Sequence, residues 1–371
     1  MTRDELLARV NRNERITDAD LTGLDLSRAD LSRGYFQNCV LKNVNFSGAQ
    51  VVKTVFRGCD LSGAKFDGCQ LQKVVWVKLR LAGASFKQAD LTKAVLTEGS
   101  LDGADFTRSN LTQTVLNKAT LKGARLAGAN LTKTVLPEAD LSQADLTGAD
   151  LTRTVLTSAR LVGAKLAKAN LEATVFYKAD LSGAVLAQAR LHKTFLRDCV
   201  LTNQDFKQAV FVKVQAGGSD FKGSDFTGAD ITQSNFMQGD LSGVRLDGVK
   251  GMGAVFMEAK LAQASFKQAL LQQSCFAEAD LTKADLSGAD VSRSILTRAK
   301  CPEARLEKTD LTYSDLSHAD LTKANLSGAK LYRTKLHKVM EDRTVWDQAA
   351  KGAALGEDAD LSLAEAWRPP Y

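Results

Sequence analysis

Large apolar residues recur at every fifth position of this chain. From Leu21 to Leu336, Leu, Phe, Ile, Val or Trp occupies 61 of 64 such positions, and the exceptions are Ala216, Gly251 and Cys301. A small residue stands two positions earlier at 61 of the 64 sites. A five-residue period matches neither an α-helix, at about 3.6 residues per turn, nor the two-residue alternation of a strand. The pattern therefore predicts a repeat architecture.

The repeated unit reads Ala, Asp or Asn, Leu, Ser or Thr, and a variable residue. Clear copies are residues 19–23 (Ala-Asp-Leu-Thr-Gly), 129–133 (Ala-Asn-Leu-Thr-Lys) and 319–323 (Ala-Asp-Leu-Thr-Lys). This unit resembles the consensus of the pentapeptide-repeat family, and the register continues without an insertion from Leu21 to Leu336. The resemblance is specific for a fold and says little about an activity, because one fold can serve many functions.

The resemblance implies an all-β fold, a right-handed quadrilateral parallel β-helix with four pentapeptides in each coil. The large residue and the small residue two positions earlier would point inward, and the other three would point outward. Residues 16–337 would form roughly 16 coils and, at the spacing of parallel strands, a rod of roughly 77 Å. A lone coil would bury too little surface to fold, so stacking must stabilise the array.

Both ends of such a β-helix need caps, because open ends expose core and unpaired backbone. Residues 1–15 form the predicted N-terminal cap, with a helix over 2–12 that begins at a capping box, Thr2-Arg3-Asp4-Glu5. Residues 338–371 form the predicted C-terminal helical cap and tail. Irregularities are expected near 215–219 and 249–254, where glycine replaces core residues.

Within the C-terminal region, residues 338–351 are predicted to be helical. Val339, Val345 and Trp346 would then cover the last coil. Residues 359–361 return to the repeat motif in phase. Residues 366–371 contain two prolines and cannot be helical throughout. This tail either packs on the β-helix or docks elsewhere.

Composition and charge narrow the location and the chemistry of the protein. The chain carries a net charge of +6, contains no apolar run long enough to span a membrane, and begins with acidic residues rather than a secretory signal. We therefore expect a cytoplasmic protein, although a signal-independent secretion system could export it. The six cysteines are interpreted as structural, and a Cys39–Cys59 disulfide is conceivable but disfavoured in a reducing cytosol. The three histidines are scattered along the sequence, so neither a metal site nor a cofactor is predicted.

A second period of twenty residues places one outward position of successive coils in a column. On one side this position holds an apolar residue in nine consecutive coils. We name this set the valine column. Its members are Tyr35, Val55, Val75, Val95, Val115, Val135, Val155, Val175 and Phe195.

A cationic column is expected beside the valine column, at the preceding corner of the coil. Eight of its ten members are Lys or Arg. We name this set the basic column. Its members are Arg33, Lys53, Lys73, Lys93, Gln113, Lys133, Arg153, Ala173, Lys193 and Lys213. Stacked cations repel one another, so stability alone does not explain such a column.

Two interpretations of these columns remain open. In the first, the valines are an inherited ladder copied by duplication, favoured because Val suits strands. In the second, they form an apolar surface with a basic rim that binds a protein partner, since extended exposed apolar patches mark interaction sites. A column of inward-facing threonines beside them is interpreted as structural, with each hydroxyl bonding the corner backbone. This column comprises Thr54, Thr114, Thr134, Thr154, Thr174 and Thr194.

No nucleophile–base pair, phosphate-binding glycine loop or ligand cluster is recognisable, so an enzyme is not predicted. The favoured function is a scaffold or adaptor for a protein partner, and long proteins resembling this one also occur alongside bacterial secretion systems. The alternative is a DNA-mimicking regulator of type II topoisomerase (DNA gyrase), as the resemblance to the family suggests, but the positive net charge has the wrong sign. Nucleic-acid binding is disfavoured because no exposed aromatics interleave with the cations. Self-association into a homodimer is also considered.

Overall fold

The computed structural model describes residues 1–367 of the 371-residue chain. It consists of two compact units, Met1–Val200 and Leu201–Tyr371. We describe each unit by itself. The sequence predicts one uninterrupted array with irregularities near 215–219 and 249–254, whereas the boundary between the units falls at Val200.

The first unit is a parallel β-helix, which confirms the predicted fold class. Its strands are three residues long and stack in chain order. They are β1 (Arg15–Thr17), β2 (Tyr35–Gln37), β3 (Val55–Arg57), β4 (Val75–Val77) and β5 (Val95–Thr97). Partners in neighbouring strands lie twenty residues apart, as in the pair Tyr35 and Val55. Beyond β5 the same ladder continues through single parallel bridges.

Each coil carries four such ladders and therefore has four sides. Asp20 pairs with Val40, Asp25 with Asn45, and Asp30 with Gln50, while the fourth ladder passes through the strands. Backbone hydrogen bonds join successive coils on every side, for example from Leu121 N–H to the Asp140 carbonyl at 2.7 Å. This arrangement satisfies the buried backbone without long strands.

The core is filled by the large residues of the five-residue repeat. Aromatic members stack from coil to coil, and the Phe46, Phe66, Phe86 and Phe106 rings lie with centroids 4.6, 5.0 and 4.7 Å apart. These rings are completely buried. Each such side chain contributes about 1.5–3 kcal/mol on burial. The core therefore grows by equal increments with every coil.

The Asp or Asn of the repeat organises each corner. The Asp145 carboxylate accepts a hydrogen bond from the backbone N–H of Thr147 at 3.0 Å, and equivalent bonds recur along the chain, as from Ser182 N–H to Asp180. Such an Asx turn lets a short polar side chain replace a backbone turn bond. The residue after the bonded N–H adopts positive φ, as at Gly148 (65°), which follows Thr147. The repeat consensus therefore determines the turn at each corner as well as the residues of the core.

Helix α1 covers the N-terminal end of the first unit. It spans Arg3–Asn11, and Thr2 and Glu5 form both hydrogen bonds of a capping box. The Thr2 hydroxyl accepts from Glu5 N–H at 3.3 Å, and the Glu5 carboxylate accepts from Thr2 N–H at 2.8 Å. Leu6 and Val10 are buried, so α1 shields the first coil from water.

The second unit has the same ladders, including at its glycine-rich positions. Gly218 N–H donates to the Met237 carbonyl at 2.9 Å, and Gly251 N–H donates to the Leu270 carbonyl at 2.7 Å. The irregularities predicted near 215–219 and 249–254 are therefore wrong. At Gly251 a Cβ atom would approach Leu271 to 2.6 Å. The neighbouring side chains thus occupy the space that a larger residue would need.

The predicted helix over 338–351 is wrong. Met340 pairs with Asp320, Val345 with Asn325, and Leu355 with Lys335, so the parallel ladders extend through this segment. A 3-10 helix spans Lys351–Ala353, and α2 spans Ala359–Ala366. Ladder bonds from the preceding coil outweigh local helix propensity here. Residues 359–361, which repeat the motif in phase, are helical instead, and residues 368–371 of the predicted tail lie outside the described part.

Candidate partner-binding face

The valine column forms a continuous ladder on one side of the first unit. Parallel pairing joins Tyr35 to Val55, Val75 and Val95 in the strands, and bridges continue it one coil at a time to Phe195. Nine side chains therefore follow one another at about 4.8 Å intervals, over roughly 38 Å. The sequence places these residues in one column, and the ladder brings them together.

The side chains of the valine column face outward because they alternate with buried residues along each strand. Val75 is 41% exposed and Phe195 is 45% exposed. The other seven members are half-buried, since each one is flanked by neighbours in the adjacent coils. At the N-terminal end the Arg15 guanidinium lies over the Tyr35 ring at 5.1 Å. The column is thus an apolar ridge that water reaches along its length.

The basic column lies at the corner immediately before the valine column. Its nine members from Arg33 to Lys193 are in the first unit, whereas Lys213 belongs to the second unit. All nine adopt left-handed backbone, with φ between 53° and 64°. The eight members other than Ala173 are exposed. A left-handed conformation costs a residue with a Cβ roughly 1–2 kcal/mol.

Glycine would avoid that cost, and another side of the same coils uses it. At the corresponding corner seven of nine residues are glycine, the exceptions being Asn43 and Gln143. These glycines are Gly23, Gly63, Gly83, Gly103, Gly123, Gly163 and Gly183. The basic column contains no glycine and seven cations among its nine members in the first unit. Backbone preference therefore does not explain its composition.

The cations of the basic column have no ion pairs among residues 1–367. The corner on the opposite flank of the valine column differs. There Lys78 pairs with Glu98 at 3.8 Å, and Lys118 pairs with Glu138 at 3.7 Å. One flank of the valine column is thus a row of cations without ion pairs, whereas the other holds three lysines and three acids and has no net charge.

Several acidic residues in both units lie between two cations. In the first unit Asp105 lies 3.5 Å from Lys87 Nζ and 3.8 Å from Arg125 Nη1. In the second unit Asp225 lies 3.5 Å from Lys207 Nζ and 3.2 Å from Arg245 Nη1. Such sandwiches leave little unbalanced negative charge at these positions.

The threonine column supports the candidate face from inside. Thr134 is completely buried, and its hydroxyl donates to the Leu111 carbonyl at 2.7 Å. The other five members make the equivalent bond at 2.6–2.9 Å. The predicted role of these hydroxyls in bonding the corner backbone is confirmed. They tie the side that carries the valine column to the preceding coil.

The second unit contains a cluster that sequence reasoning missed. His318 Nε2 lies 2.8 Å from Glu365 Oε1, His337 Nε2 lies 3.4 Å from Glu365 Oε2, and Lys338 Nζ lies 2.7 Å from the same oxygen. The statement that the histidines are scattered is therefore wrong for two of the three. Their separation of 19 residues, close to one coil, is the signal that would have paired them. Nothing in the sequence indicates Glu365, because it arrives on α2.

Two histidines and a glutamate are a donor set that Zn²⁺ can use. His337 Nδ1 accepts a hydrogen bond from the backbone N–H of Asp358 at 3.1 Å. The neutral ring therefore carries its proton on Nε2, the atom that faces Glu365. Metal binding there would require loss of that proton, and it would also place a second cation beside Lys338. The arrangement fits a hydrogen-bonded ion cluster better than a metal centre.

This cluster fixes the ionisation of Glu365. Hydrogen bonds from Lys338 and His318 lower the pKa of the Glu365 carboxyl to about 2. His337 is almost fully buried, and the side chains of His318 and Glu365 are each about one third exposed. The cluster thus fastens α2 to the last coils. A cavity of about 300 Å³ adjoins it, lined by Lys338, Glu341, Lys351 and Glu357 among others, without a nucleophile–base pair.

The cysteines are free thiols in the structure. Cys39 and Cys59 lie in adjacent coils, and Cys39 N–H donates to Cys59 Sγ at 3.4 Å. The hydrogen bond to Cys39, together with burial, raises the pKa of the Cys59 thiol. Burial also raises the pKa of Cys199 to about 12. These residues pack as small core groups.

Two family models built on five-residue repeats match segments of this chain. The family model described as pentapeptide repeat region matches residues 29–106 and 219–294. The model described as pentapeptide repeats (8 copies) matches 100–143, 136–172, 164–203 and 299–337. The chain belongs to the pentapeptide-repeat family. Proteins of this family are generally structural or interaction proteins rather than enzymes.

Solved structures similar to this chain include other pentapeptide-repeat proteins. HetL, involved in heterocyst differentiation regulation in the cyanobacterium Nostoc, is 27% identical over 71% of this chain and 96% of its own, with a TM-score of 0.25. Full-length QnrB1, a plasmid-mediated fluoroquinolone resistance protein, is 21% identical over 56% and 91%, with a TM-score of 0.27. A thylakoid-lumen protein of Arabidopsis thaliana is 33% identical over 27% and 66%, with a TM-score of 0.21.

No curated protein sequence matches this chain. Among the described residues, neither α1 nor α2 has the length and apolar character needed to cross a lipid bilayer.

Proposed function

We propose that this protein is a non-enzymatic scaffold or adaptor that binds a protein partner along the valine and basic columns of its first unit. The observation that carries the proposal is the row of cations without ion pairs beside a partly exposed apolar ridge. These cations occupy left-handed corners where glycine would be less strained. Such composition is costly for stability, and a partner that neutralises the cations and covers the ridge accounts for it.

The setting of this function is part of the proposal. The free, buried cysteines are compatible with a reducing compartment, and we place the protein in the bacterial cytoplasm. An association with a bacterial secretion system, as either a structural or a loading factor, is the context that the family resemblance suggests.

The alternative role, a DNA-mimicking regulator of type II topoisomerase, has less support from the surface. A DNA mimic needs uncompensated negative charge along one side. Asp60, Asp105, Asp225 and Asp285 instead lie between two cations each. The most regular uncompensated column is positive. The similarity to QnrB1 therefore supports a common fold more than a common target.

Affinity capture with a matched pair of variants tests the proposal. The test variant carries Val115→Glu and Val135→Glu, and the control carries Ser100→Glu and Thr120→Glu on another side of neighbouring coils. Both add two acids to outward positions, so they differ only in the surface they alter. We expect a stoichiometric partner to bind the wild type and the control, and to be lost from the test variant.

Circular dichroism and urea unfolding must show that both variants keep the β-helix. If the test variant retains every partner of the wild type, the valine column is a structural ladder and the proposal is wrong. Gyrase subunits captured equally by all three proteins would favour the topoisomerase role, which supercoiling assays would then test.

A further inference from the structure

We propose that the partner segment is an acidic amphipathic α-helix that lies along the valine column, with its acidic row over the basic column. This inference rests on the proposed function and specifies what the same surface binds. Three observations support it: the spacing of the valine column, the charge difference between its two flanks, and the chemistry that the surface lacks.

The spacing of the column suits a helix. Successive members are one coil apart, about 4.8 Å in a parallel ladder. A helix presents one apolar residue per turn, about every 5.4 Å. The two series differ by roughly 0.6 Å per step, so a five-turn helix stays in register to within about 3 Å. An extended chain repeats one face about every 6.6 Å and falls out of register within two steps.

The charges define which way the helix lies. The flank that holds the basic column carries a net positive charge, whereas the other flank holds three lysines and three acids, and its Lys78 and Lys118 are paired with Glu98 and Glu138. A helix with one acidic row beside its apolar stripe can satisfy the cations in a single direction. The reverse direction would place the acids over the neutral flank. The surface therefore selects both the composition of the helix and the direction in which its chain runs.

The same charges argue against other occupants. A second copy of this face brings no surplus of acid. The corner on the opposite flank of the valine column, from Asn38 to Asp198, holds three lysines and three acids. A second copy would leave the basic column uncompensated. A nucleic acid with its phosphates over the basic column would place its bases over the valines, and in this column only Tyr35 and Phe195, at its two ends, are aromatic. Stacking of successive bases needs interleaved aromatics.

Designed peptides test this inference on the full-length protein. Probe one is a fluorescein-labelled helical 21-mer with one Leu per turn and a Glu row on one flank of the Leu stripe. Probe two has the same composition with the Glu residues on the face opposite the Leu stripe, where they cannot reach the basic column in either direction. Probe three arranges that composition with strict alternation for an extended chain. Fluorescence anisotropy at two salt concentrations measures the affinity of each probe.

We expect probe one to bind at least tenfold more tightly than probe two, and the extended probe to bind more weakly than probe one. Added salt should weaken the preferred probe most. Lys93→Gln with Lys133→Gln should weaken it roughly 2- to 30-fold, the range measured for two exposed ion pairs. Lys78→Gln with Lys118→Gln on the neutral flank is the matched control and should leave it nearly unchanged.

Tighter binding of the extended probe, or equal binding of both helical probes, would overturn the inference. Cross-linking from Val95→Cys, Val115→Cys and Val135→Cys to the captured partner separates this failure from that of the proposed function. From one coil to the next, the cross-linked position in the partner should move along the partner sequence by about three residues if the partner is a helix. It should move by one or two residues if the partner is an extended chain. An advance of one or two would exclude the helix and leave the adaptor role intact. Cross-links to nucleic acid or to a second copy would also exclude it, and absence of any partner that depends on the valine column would remove both proposals.

Discussion

At the scale of single residues, each position of the repeat has a separate physical task. The large residue fills the core, the Asp or Asn bonds a turn N–H, and the residue two positions after the large one, such as Lys53, takes the left-handed corner. These tasks can be deduced from the sequence because they recur at a fixed interval. The threonine column was predictable for the same reason, since a buried hydroxyl needs a nearby acceptor.

Removing one hydroxyl of the threonine column should destabilise the first unit slightly. Thr134→Val keeps the shape of the side chain and deletes the bond to the Leu111 carbonyl. That carbonyl keeps a second bond, from Thr114 N–H at 3.0 Å. We therefore expect a loss of about 0.5–1.5 kcal/mol in the free energy of unfolding, the usual net value of one hydrogen bond. Urea unfolding followed by circular dichroism measures it.

Thr134→Ser is the matched control for that substitution. It keeps the hydroxyl and loses a buried methyl group, so any destabilisation it shows reports packing rather than hydrogen bonding. A Thr134→Val protein as stable as the wild type would mean that the hydroxyl adds nothing beyond filling space.

At the scale of elements, the two ends of the chain differ in how well their sequence predicts them. The capping box is written in four adjacent residues, and the described α1 begins at Arg3, next to Thr2. Residues 338–351 look helical locally, yet ladder bonds such as that from Leu321 N–H to the Met340 carbonyl keep them in the β-helix. Long-range pairing of this kind is invisible in a local pattern. The attachment of α2 through Glu365 is equally non-local.

Loss of the Glu365 charge should release α2 from the last coils. Glu365→Gln removes the carboxylate that accepts from Lys338 and faces both His318 and His337. Gln offers one neutral oxygen in its place, too little to hold three donors. We expect faster hydrogen exchange at the backbone amides of 359–366, while exchange in the coils of the first unit stays unchanged.

Asp360→Asn is the matched control for Glu365→Gln. It removes a carboxylate from the same helix that has no ion pair within the described part of the chain. Equal acceleration in both variants would show that α2 responds to any loss of charge, and the ion cluster would then have no special role in holding it.

At the scale of the whole molecule, the columns follow from one number, the twenty residues of a coil. That number made the valine and basic columns predictable as sets from sequence alone. Their electrostatic environment was not predictable, because the pairing of Lys118 with Glu138, and its absence at Lys133, depends on side-chain geometry. The same holds for the cations around each corner aspartate. Composition gave the net charge, and the structure gave its distribution.

The corner aspartates should make both units sensitive to acid. Hydrogen bonds from Thr147 lower the pKa of Asp145, and although burial opposes the change, hydrogen bonds from Thr107 and Thr227 lower those of Asp105 and Asp225. A carboxyl with a lower pKa in the folded state stabilises the fold fully above its unfolded pKa, near 4. That stability is lost as pH falls through the lowered value. We expect urea midpoints to be nearly constant from about pH 7 to pH 5 and to fall steeply below about pH 4.

Asp145→Asn tests the assignment of this acid sensitivity. The amide oxygen can still accept from Thr147 N–H, but it does not titrate, so the decline between about pH 4 and pH 2 should be shallower than in the wild type. An unchanged decline would place the acid sensitivity in other carboxyls.

The twenty-residue ladder also determines how the gene for this protein can change in length. Duplication or deletion of twenty residues within the first unit would keep every column in phase and would lengthen or shorten the valine column by one member. A change of five residues would preserve the core pattern equally well, yet it would rotate everything downstream by a quarter of a coil. The valine column would then continue on the neighbouring side. The core pattern is preserved by both changes, whereas a long partner on one side, as in the proposed function, tolerates only the first. Under that proposal, the length of an uninterrupted column records the length of what it binds.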